Sequence, residues 1–592
     1  MTILPIVAAC AVILVIAYVT YGRLVVRWLG IDPSRPTPAV EMEDGVDYVP
    51  ASGPVVLGGH FTAIAAAGPV VGPILAGLFF GWLPALLWIV IGAIFIGGVH
   101  DAGSLFASIR HRATSITQVV REHMSRPAYV TFLLFVWISL VYVIIAFADV
   151  TAGTFANFQR FEVPINGQLQ TFALNGGAVA IGATAYLVLS IAMGLALRFT
   201  KVPWWAALVG CVAVLALTIW KAPAVATWLS SHGLPFLNAE GRDAGQLAKG
   251  WDQGLLIYCF VASITPMWLL LQPRGVIGAT FLYASLLFGV MGAVLGGIGG
   301  GDAVAIHWPA FKGFYSERLG FLFPFLFITI ACGACSGFHS IVASGTTSKQ
   351  VRSEGHVRPV GYGAMLLEAM VAVFSLTCVM MLVPETNKLA KPDLIYALGI
   401  GRLANIGAKV PLYFAVSFGL LAFSSFVFDT LDVCTRLGRY VLQEMTGLRG
   451  LPGGAAATLI TLAGPSLYLW KMPPNSFMTF WTIFGTSNQL LASLTLVGVS
   501  VWLWRTGRPV WFALAPAGFM IASTGTALVL NFRTFYRLYL RDVAAADAAM
   551  TLTNMCIAGV LFLLGGLVVF EAVRVWHRAR QDRLALTSVQ PA

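Results

Sequence analysis

Residues 58–73 read Gly58-Gly59-His60-Phe61-Thr62-Ala63-Ile64-Ala65-Ala66-Ala67-Gly68-Pro69-Val70-Val71-Gly72-Pro73. They lie in a longer run, 53–100, that holds no Asp, Glu, Lys or Arg. Such a run is long enough for two membrane crossings of about 20 residues each. Its first half is poorly made as a lipid-facing helix, because four glycines and two prolines stand where Leu and Ile would serve. Pro69 has no N–H, and its ring presses on the carbonyl of Ala65; Pro73 does the same to Pro69. In hydrocarbon, freed backbone groups persist only where protein or a polar cavity satisfies them. The stretch predicts an interrupted transmembrane helix that lines a binding site, with Ala65, Gly68 and Pro69 at the break. A kinked structural helix packed closely through its glycines is the alternative.

The rest of the chain fits a membrane solvent. Apolar residues make up 58% of the 592 and charged residues 10%, with mean hydropathy +0.83. Soluble domains run nearer 25% charged. The net charge of +11 does not point to nucleic acid, because the basic residues are scattered through loops. The eight cysteines fall almost entirely in apolar spans, so no disulfide framework is expected. Residues 1–21 carry no Lys or Arg and read as a retained first span rather than a signal peptide.

About 15 spans are predicted: 3–28, 57–80, 83–105, 129–150, 171–197, 203–220, 254–271, 277–300, 319–344, 361–383, 410–430, 453–470, 477–502, 510–531 and 549–573. With the N-terminus outside and the C-terminus inside, 22 of the 36 basic residues fall on inside segments and every short inside loop is basic.

Span seven contains Ala262-Ser263-Ile264-Thr265-Pro266, and Pro266 would free the Ala262 carbonyl in mid-membrane. Spans two and seven lie five apart and run in opposite directions. That arrangement is expected of an inverted five-plus-five repeat with a midplane site between its broken helices. The domain reading is an N-terminal span and inside loop (1–56), two repeat halves (57–220 and 254–430), peripheral spans (453–573) and a basic tail (574–592). Substrate-lining candidates are His60, Ala65, Gly68, Pro69, Ser263, Thr265 and Pro266.

Ionisable and polar residues at membrane depth are the coupling candidates. His60 is either a titrating group or a neutral imidazole bonded to a carbonyl. Asp101, after His100 at the end of span three, is a proton carrier or the partner of a basic loop residue. Span nine carries His339, Ser340, Ser344, Thr346 and Thr347. Their hydroxyls suit Na⁺ or helix–helix hydrogen bonding, and His339 suits a proton. Glu368, about two turns into span ten, needs a partner or a raised pKa to stay there and is a proton-carrier candidate. Asp432 and Arg436 read as an i,i+4 structural pair, and Thr486-Ser487-Asn488-Gln489 as scaffold bonds. No cofactor or metal is expected. Cys332-Gly333-Ala334-Cys335 has no second pair, and Gly296–Gly301 follows a membrane helix rather than a strand.

Several of these runs resemble the carbon starvation protein A family. The resemblance rests on Asp47-Tyr48-Val49-Pro50, Gly59-His60-Phe61 through Gly72-Pro73, Trp82–Trp88, Val99-His100-Asp101, Phe323–Gly333 and Ser336–His339. It continues in Ser344–Thr347, Gly361–Leu366, Glu368, Thr430-Leu431-Asp432, Thr435-Arg436-Leu437 and Phe484-Gly485 with Ser487-Asn488-Gln489. Two positions depart from the family's usual pattern: Gly59, where a second His is usual, and Gly275-Val276, often Asp-Tyr. The resemblance implies a bacterial inner-membrane transporter of the amino acid–polyamine–cation superfamily, with its LeuT-like inverted-repeat fold. It also implies uptake of pyruvate, with protons, or of peptides during starvation.

The combined reading is an all-α polytopic secondary symporter, with two discontinuous helices and extra peripheral ones, that imports a small carboxylate or peptide. H⁺ or Na⁺ is the coupling ion, with H⁺ favoured by the resemblance; the bilayer is the other partner, and oligomeric state is not read. A gated pore is the rival class. An intramembrane enzyme lacks any nucleophile–base spacing or metal triad in this sequence.

Overall fold

The computed structural model describes residues 1–45, 48–165, 168–238, 240–383, 391–473, 477–540 and 545–588. Asp47, the first residue of the family-like runs, lies outside these, as do 384–390 of the long loop and 589–592 of the tail.

The first span is α1 (Leu4–Val19) with α2 (Tyr21–Leu29). The glycine- and proline-rich stretch forms α3 (Gly53–Ile64) and α4 (Gly68–Phe80), bent by 46° at Ala65–Ala67. Pro69 opens the first turn of α4, where its missing N–H costs no bond. Span three is α5 (Trp82–Gly92) and α6 (Gly98–Arg110), joined by a π turn at Ala93–Gly97. Helices α7 (Ile116–His123) and α8 (Arg126–Phe155) follow. A β-hairpin, β1 (Phe158–Ile165) with β2 (Gln168–Asn175), then leads to α9 (Gly176–Phe199) and α10 (Trp204–Ser231). The hairpin corrects an all-α expectation: it lies between spans, where strand edges need no cover from lipid.

Next come α11 (Ala244–Ile264) and α12 (Leu271–Ile298). After the short strands β3 (Tyr315–Ser316) and β4 (Gly320–Phe321), span nine divides into α13 (Leu322–Thr329) and α14 (Gly337–Val342), the latter continued by a π turn at Ala343–Thr347. A further π turn (Arg358–Gly363) opens α15 (Ala364–Met381). The chain closes with α16 (Pro392–Ala408), α17 (Leu412–Thr446), α18 (Gly450–Lys471), α19 (Phe477–Arg505), α20 (Trp511–Leu540) and α21 (Ala545–Ser588).

Ten described helices are long and apolar enough to cross a membrane, or eleven with α3–α4 taken as one bent span. The expectation of 15 was larger for physical reasons. The interrupted span nine consists of pieces of 8 and 6 residues, and α11 opens on the polar turns around Lys249 and Asp252. Pro266 also behaves differently from expectation. Helix α11 starts ten residues before the expected span and ends at Ile264, so Pro266 sits in the turn between two helices. Thr265, before the proline, is extended, as its ring demands.

Loops gather at two faces. On one, Ala51 N donates to Gln350 O at 2.9 Å, Asp32 N to Glu354 at 2.9 Å, and Arg110 pairs with Glu354 at 2.8 Å. On the other, Ile3 N donates to Val304 O and Leu83 N to Ala310 O. The α15 and α17 spans are enclosed, whereas α1, α10 and α21 show mostly apolar surface. Helix α19, expected among peripheral spans, instead runs through the core, with Gln489, Ser493 and Thr495 fully buried.

Candidate functional site

The second interruption lies in span nine, over Ile330–Ser336, and it meets the first. A Cβ on Gly68 would fall 2.3 Å from Cys332 Sγ, and one on Gly72 would fall 2.5 Å from the Thr329 carbonyl. Near one end of the pair, His60 Nδ1 is 2.9 Å from Thr347 Oγ1. The two interrupted spans thus run antiparallel with their breaks in contact. Glycine at 68 and 72 is what allows the backbones to close.

Carbonyls freed by the second break are satisfied by side chains. Trp88 Nε1 donates to Ile330 O at 3.1 Å, Trp481 Nε1 to Thr329 O at 3.4 Å, and Gln489 to Phe327 O. Asn488 holds the far edge: its Oδ1 accepts from Phe338 N at 2.9 Å, and its Nδ2 donates to Ser336 Oγ at 3.0 Å. Asn488 and Gln489 therefore brace the break, whereas Thr486 and Ser487 of the same run donate to carbonyls of their own helix.

Span three brings in the acid. Gly97 and Gly98 pack against the Ala334 carbonyl and the Tyr362 ring so closely that a Cβ at either would sit within 2.5 Å of them. This seats Asp101 beside His339. Four side chains then lie in series, the first two links hydrogen bonds and the last an N···O approach without hydrogen-bond geometry. His100 Nδ1 lies 2.7 Å from Asp101 Oδ1, Asp101 Oδ2 lies 2.7 Å from His339 Nδ1, and His339 Nε2 lies 3.2 Å from Glu368 Oε2. All four side chains are fully buried. Among the described residues, neither carboxylate pairs with Lys or Arg. Asp101 thus has imidazole partners rather than the basic loop residue that was the alternative for it. His100 joins the chain although no role was expected for it; its spacing next to Asp101 was the available signal.

His60 stands between this chain and a pocket. It lies within electrostatic reach of Asp101 and His339, and its Nε2 is buried with no hydrogen-bond partner. The pocket is an open cleft with a cavity volume of about 50 Å³. It is lined by His60 and Thr62 of α3, Gln272 and Arg274 of α12, Thr347, and Asp429 of α17. Gly59 and Gly275 both line it and lie side by side, since a Cβ on Gly275 would come 3.4 Å from Gly59 Cα.

Arg274 anchors the pocket floor. Its Nε is 2.6 Å from Asp429 Oδ1, and its Nη1 is 2.5 Å from Asp432 Oδ2 and 2.6 Å from Tyr258 Oη. Asp432 therefore pairs across to α12. Arg436, its expected helix partner, instead donates to the carbonyls of Ala262 at 2.6 Å and Thr265 at 2.7 Å. The carbonyls that α11 leaves open at its end are thus capped by an arginine.

The expected site residues divide accordingly. His60, His339, Asp101 and Glu368 come together. Ala65, Gly68 and Pro69 are buried where the two breaks pack. Ser263 bonds Thr458 of α18 at 3.2 Å, Thr265 bonds Val261 O, and Pro266 is exposed, so these three lie away from the pocket. Ser344 and Thr346 donate to the carbonyls of Ser340 and Val342, and Ser340 to that of Gly337. Thr347 faces His60.

The model of the carbon starvation protein CstA family matches residues 2–393 and 385–527. The chain is 30% identical to the peptide transporter CstA of Bacillus subtilis (strain 168), over 98% of both chains. It is 31% identical to the peptide transporter CstA of Mycobacterium tuberculosis (strain ATCC 25618 / H37Rv), covering 86% of this chain and 72% of the relative. It is 29% identical to the pyruvate/proton symporter BtsT of Escherichia coli (strain K12), covering 89% and 81%. Among solved structures, a manganese transporter of Eremococcus coleocola aligns with TM-score 0.42 at 12% identity, over 90% of this chain and 99% of that one. This chain is a multi-pass membrane transporter and belongs to the carbon starvation protein CstA family.

Proposed function

We propose that the chain is a proton-coupled symporter importing a small carboxylate nutrient, a peptide or pyruvate. The observation that carries this reading is the buried His100–Asp101–His339–Glu368 chain beside the crossing of the two interrupted spans. An ionised carboxylate only accepts hydrogen bonds, so Asp101 takes an Nδ1–H from each imidazole. His339 Nε2 and Glu368 Oε2 then face each other as two acceptors unless a proton lies between them. That proton is the coupling proton. Its loss leaves two buried carboxylates charged, which is costly in an apolar interior. The proton is therefore held while the site is closed and released when water or substrate reaches it. His60 is the relay to the pocket, where substrate binds.

A sodium site is less well supplied. The hydroxyls of Ser340, Ser344 and Thr346 are committed to carbonyls of their own helix, whereas Na⁺ would need several oxygens aimed at one point. The antiparallel interrupted spans suit an inverted repeat whose halves open at Gly53 and Leu322, with the basic loop face in the cytoplasm.

Reconstituted vesicles test this. An inward proton gradient is expected to drive accumulation of dialanine or pyruvate above the outside concentration; equilibration without accumulation supports the pore instead. Gly59→Leu is expected to weaken substrate binding with little effect on folding. Its added Cβ meets nothing within 4 Å, so the side chain enters the pocket. Affinity should fall roughly tenfold, about 1.4 kcal/mol. Wild-type affinity in this variant would place the substrate elsewhere.

A further inference from the structure

A second cluster of ligand-type side chains lies outside the transport site. His111 caps the C-terminus of α6, and Glu122 and His123 end α7. Their ligating atoms all lie within 4.8 Å of one another. His111 Nε2 is 2.8 Å from His123 Nε2 and 3.7 Å from Glu122 Oε2. The His111 Nδ1–H donates to Ala107 O at 2.6 Å, which fixes the tautomer and turns the Nε2 lone pair toward the other two residues. His123 Nδ1 is buried without a partner.

The chain folds back sharply to make this cluster. Arg112 and Ala113 both have positive φ, 60° and 53°, an uncommon conformation for consecutive non-glycine residues. The same loop walls a second cavity, where Ser115, Thr117 and Gln118 all donate to Glu444.

We propose that His111, Glu122 and His123 bind one divalent transition-metal ion of the Zn²⁺ class, which ties α6 to α7 and fixes this cavity wall. Two imidazoles and a carboxylate with an open fourth position suit such an ion. Binding requires His123 to carry its proton on Nδ1. It also requires the two nitrogens to part from 2.8 Å to about 3.3 Å, the spacing of two ligands at tetrahedral metal–nitrogen distances. Glu122 is half exposed and free to swing in. Arg505, within electrostatic reach of His123, opposes the charge of the ion.

The test is titration of the purified full chain with Co²⁺ and Zn²⁺. One Co²⁺ per chain is expected, with visible d–d absorption that Zn²⁺ displaces. His123→Gln and Glu122→Gln should each weaken binding at least tenfold while the metal-free melting temperature stays at the wild-type value. Arg505→Ala should tighten it severalfold. Metal binding unchanged in both Gln variants, a thiolate charge-transfer band marking cysteine ligation, or no binding by wild type would each overturn the proposal.

Discussion

Glu368→Gln is expected to abolish gradient-driven accumulation while leaving substrate exchange intact. Gln keeps the shape of Glu and can donate a hydrogen bond to His339 Nε2, so the packing at 3.2 Å survives. It cannot accept or release a proton. The site is then locked in the geometry of its loaded form, and the return of the empty, proton-free carrier is lost. Uptake driven by the gradient should drop about 100-fold or more, the scale on which a positioned proton-transfer group contributes. Counterflow, in which loaded carriers shuttle in both directions, should continue. Loss of both activities together would mean that Glu368 supports the fold; retention of both would remove it from coupling.

Arg274→Ala should produce the largest loss of stability. Arg274 and Asp432 are each no more than 2% exposed, and Asp429 is nearly as buried. Removing the guanidinium leaves two carboxylates without their cation, a change that costs about 3–5 kcal/mol for a broken buried pair. Tyr258 also loses its 2.6 Å donor. Arg274→Lys should recover only part of this, because a compact ammonium cannot match a fork that reaches two acids and a tyrosine at once. Melting in detergent measures both; a wild-type melting temperature for Arg274→Ala would show that the acids find other compensation.

The first break was legible because proline acts locally. Pro69 has one steric consequence in a helix, and the interruption falls at Ala65–Ala67. The second was not, because no proline marks it. Ile330–Ser336 is held open by partners far away in sequence, Trp88, Trp481 and Asn488, which no local pattern announces. Pro266 carried the same local signal as Pro69 and misled, because hydropathy favours the apolar part of a helix whose polar first turns also belong to it.

Titratable candidates were recognisable one at a time, since a charge at membrane depth stands out in any sequence. Their assembly into one chain depends on the glycine contacts at 97 and 98, which are tertiary. Gly59 and Gly275, the two departures from the family pattern, are 216 positions apart and meet at the same pocket. Neither carries a side chain, so both leave backbone at the pocket lining.

The most direct test of the buried proton chain is the pH inside proteoliposomes during uptake, read with a trapped fluorescent indicator and no imposed gradient. Addition of dialanine or pyruvate should acidify the lumen of wild-type vesicles in fixed proportion to the substrate entering, and Glu368→Gln vesicles should show no such change. Substrate entry without acidification, or acidification of equal size in Glu368→Gln, would contradict the account.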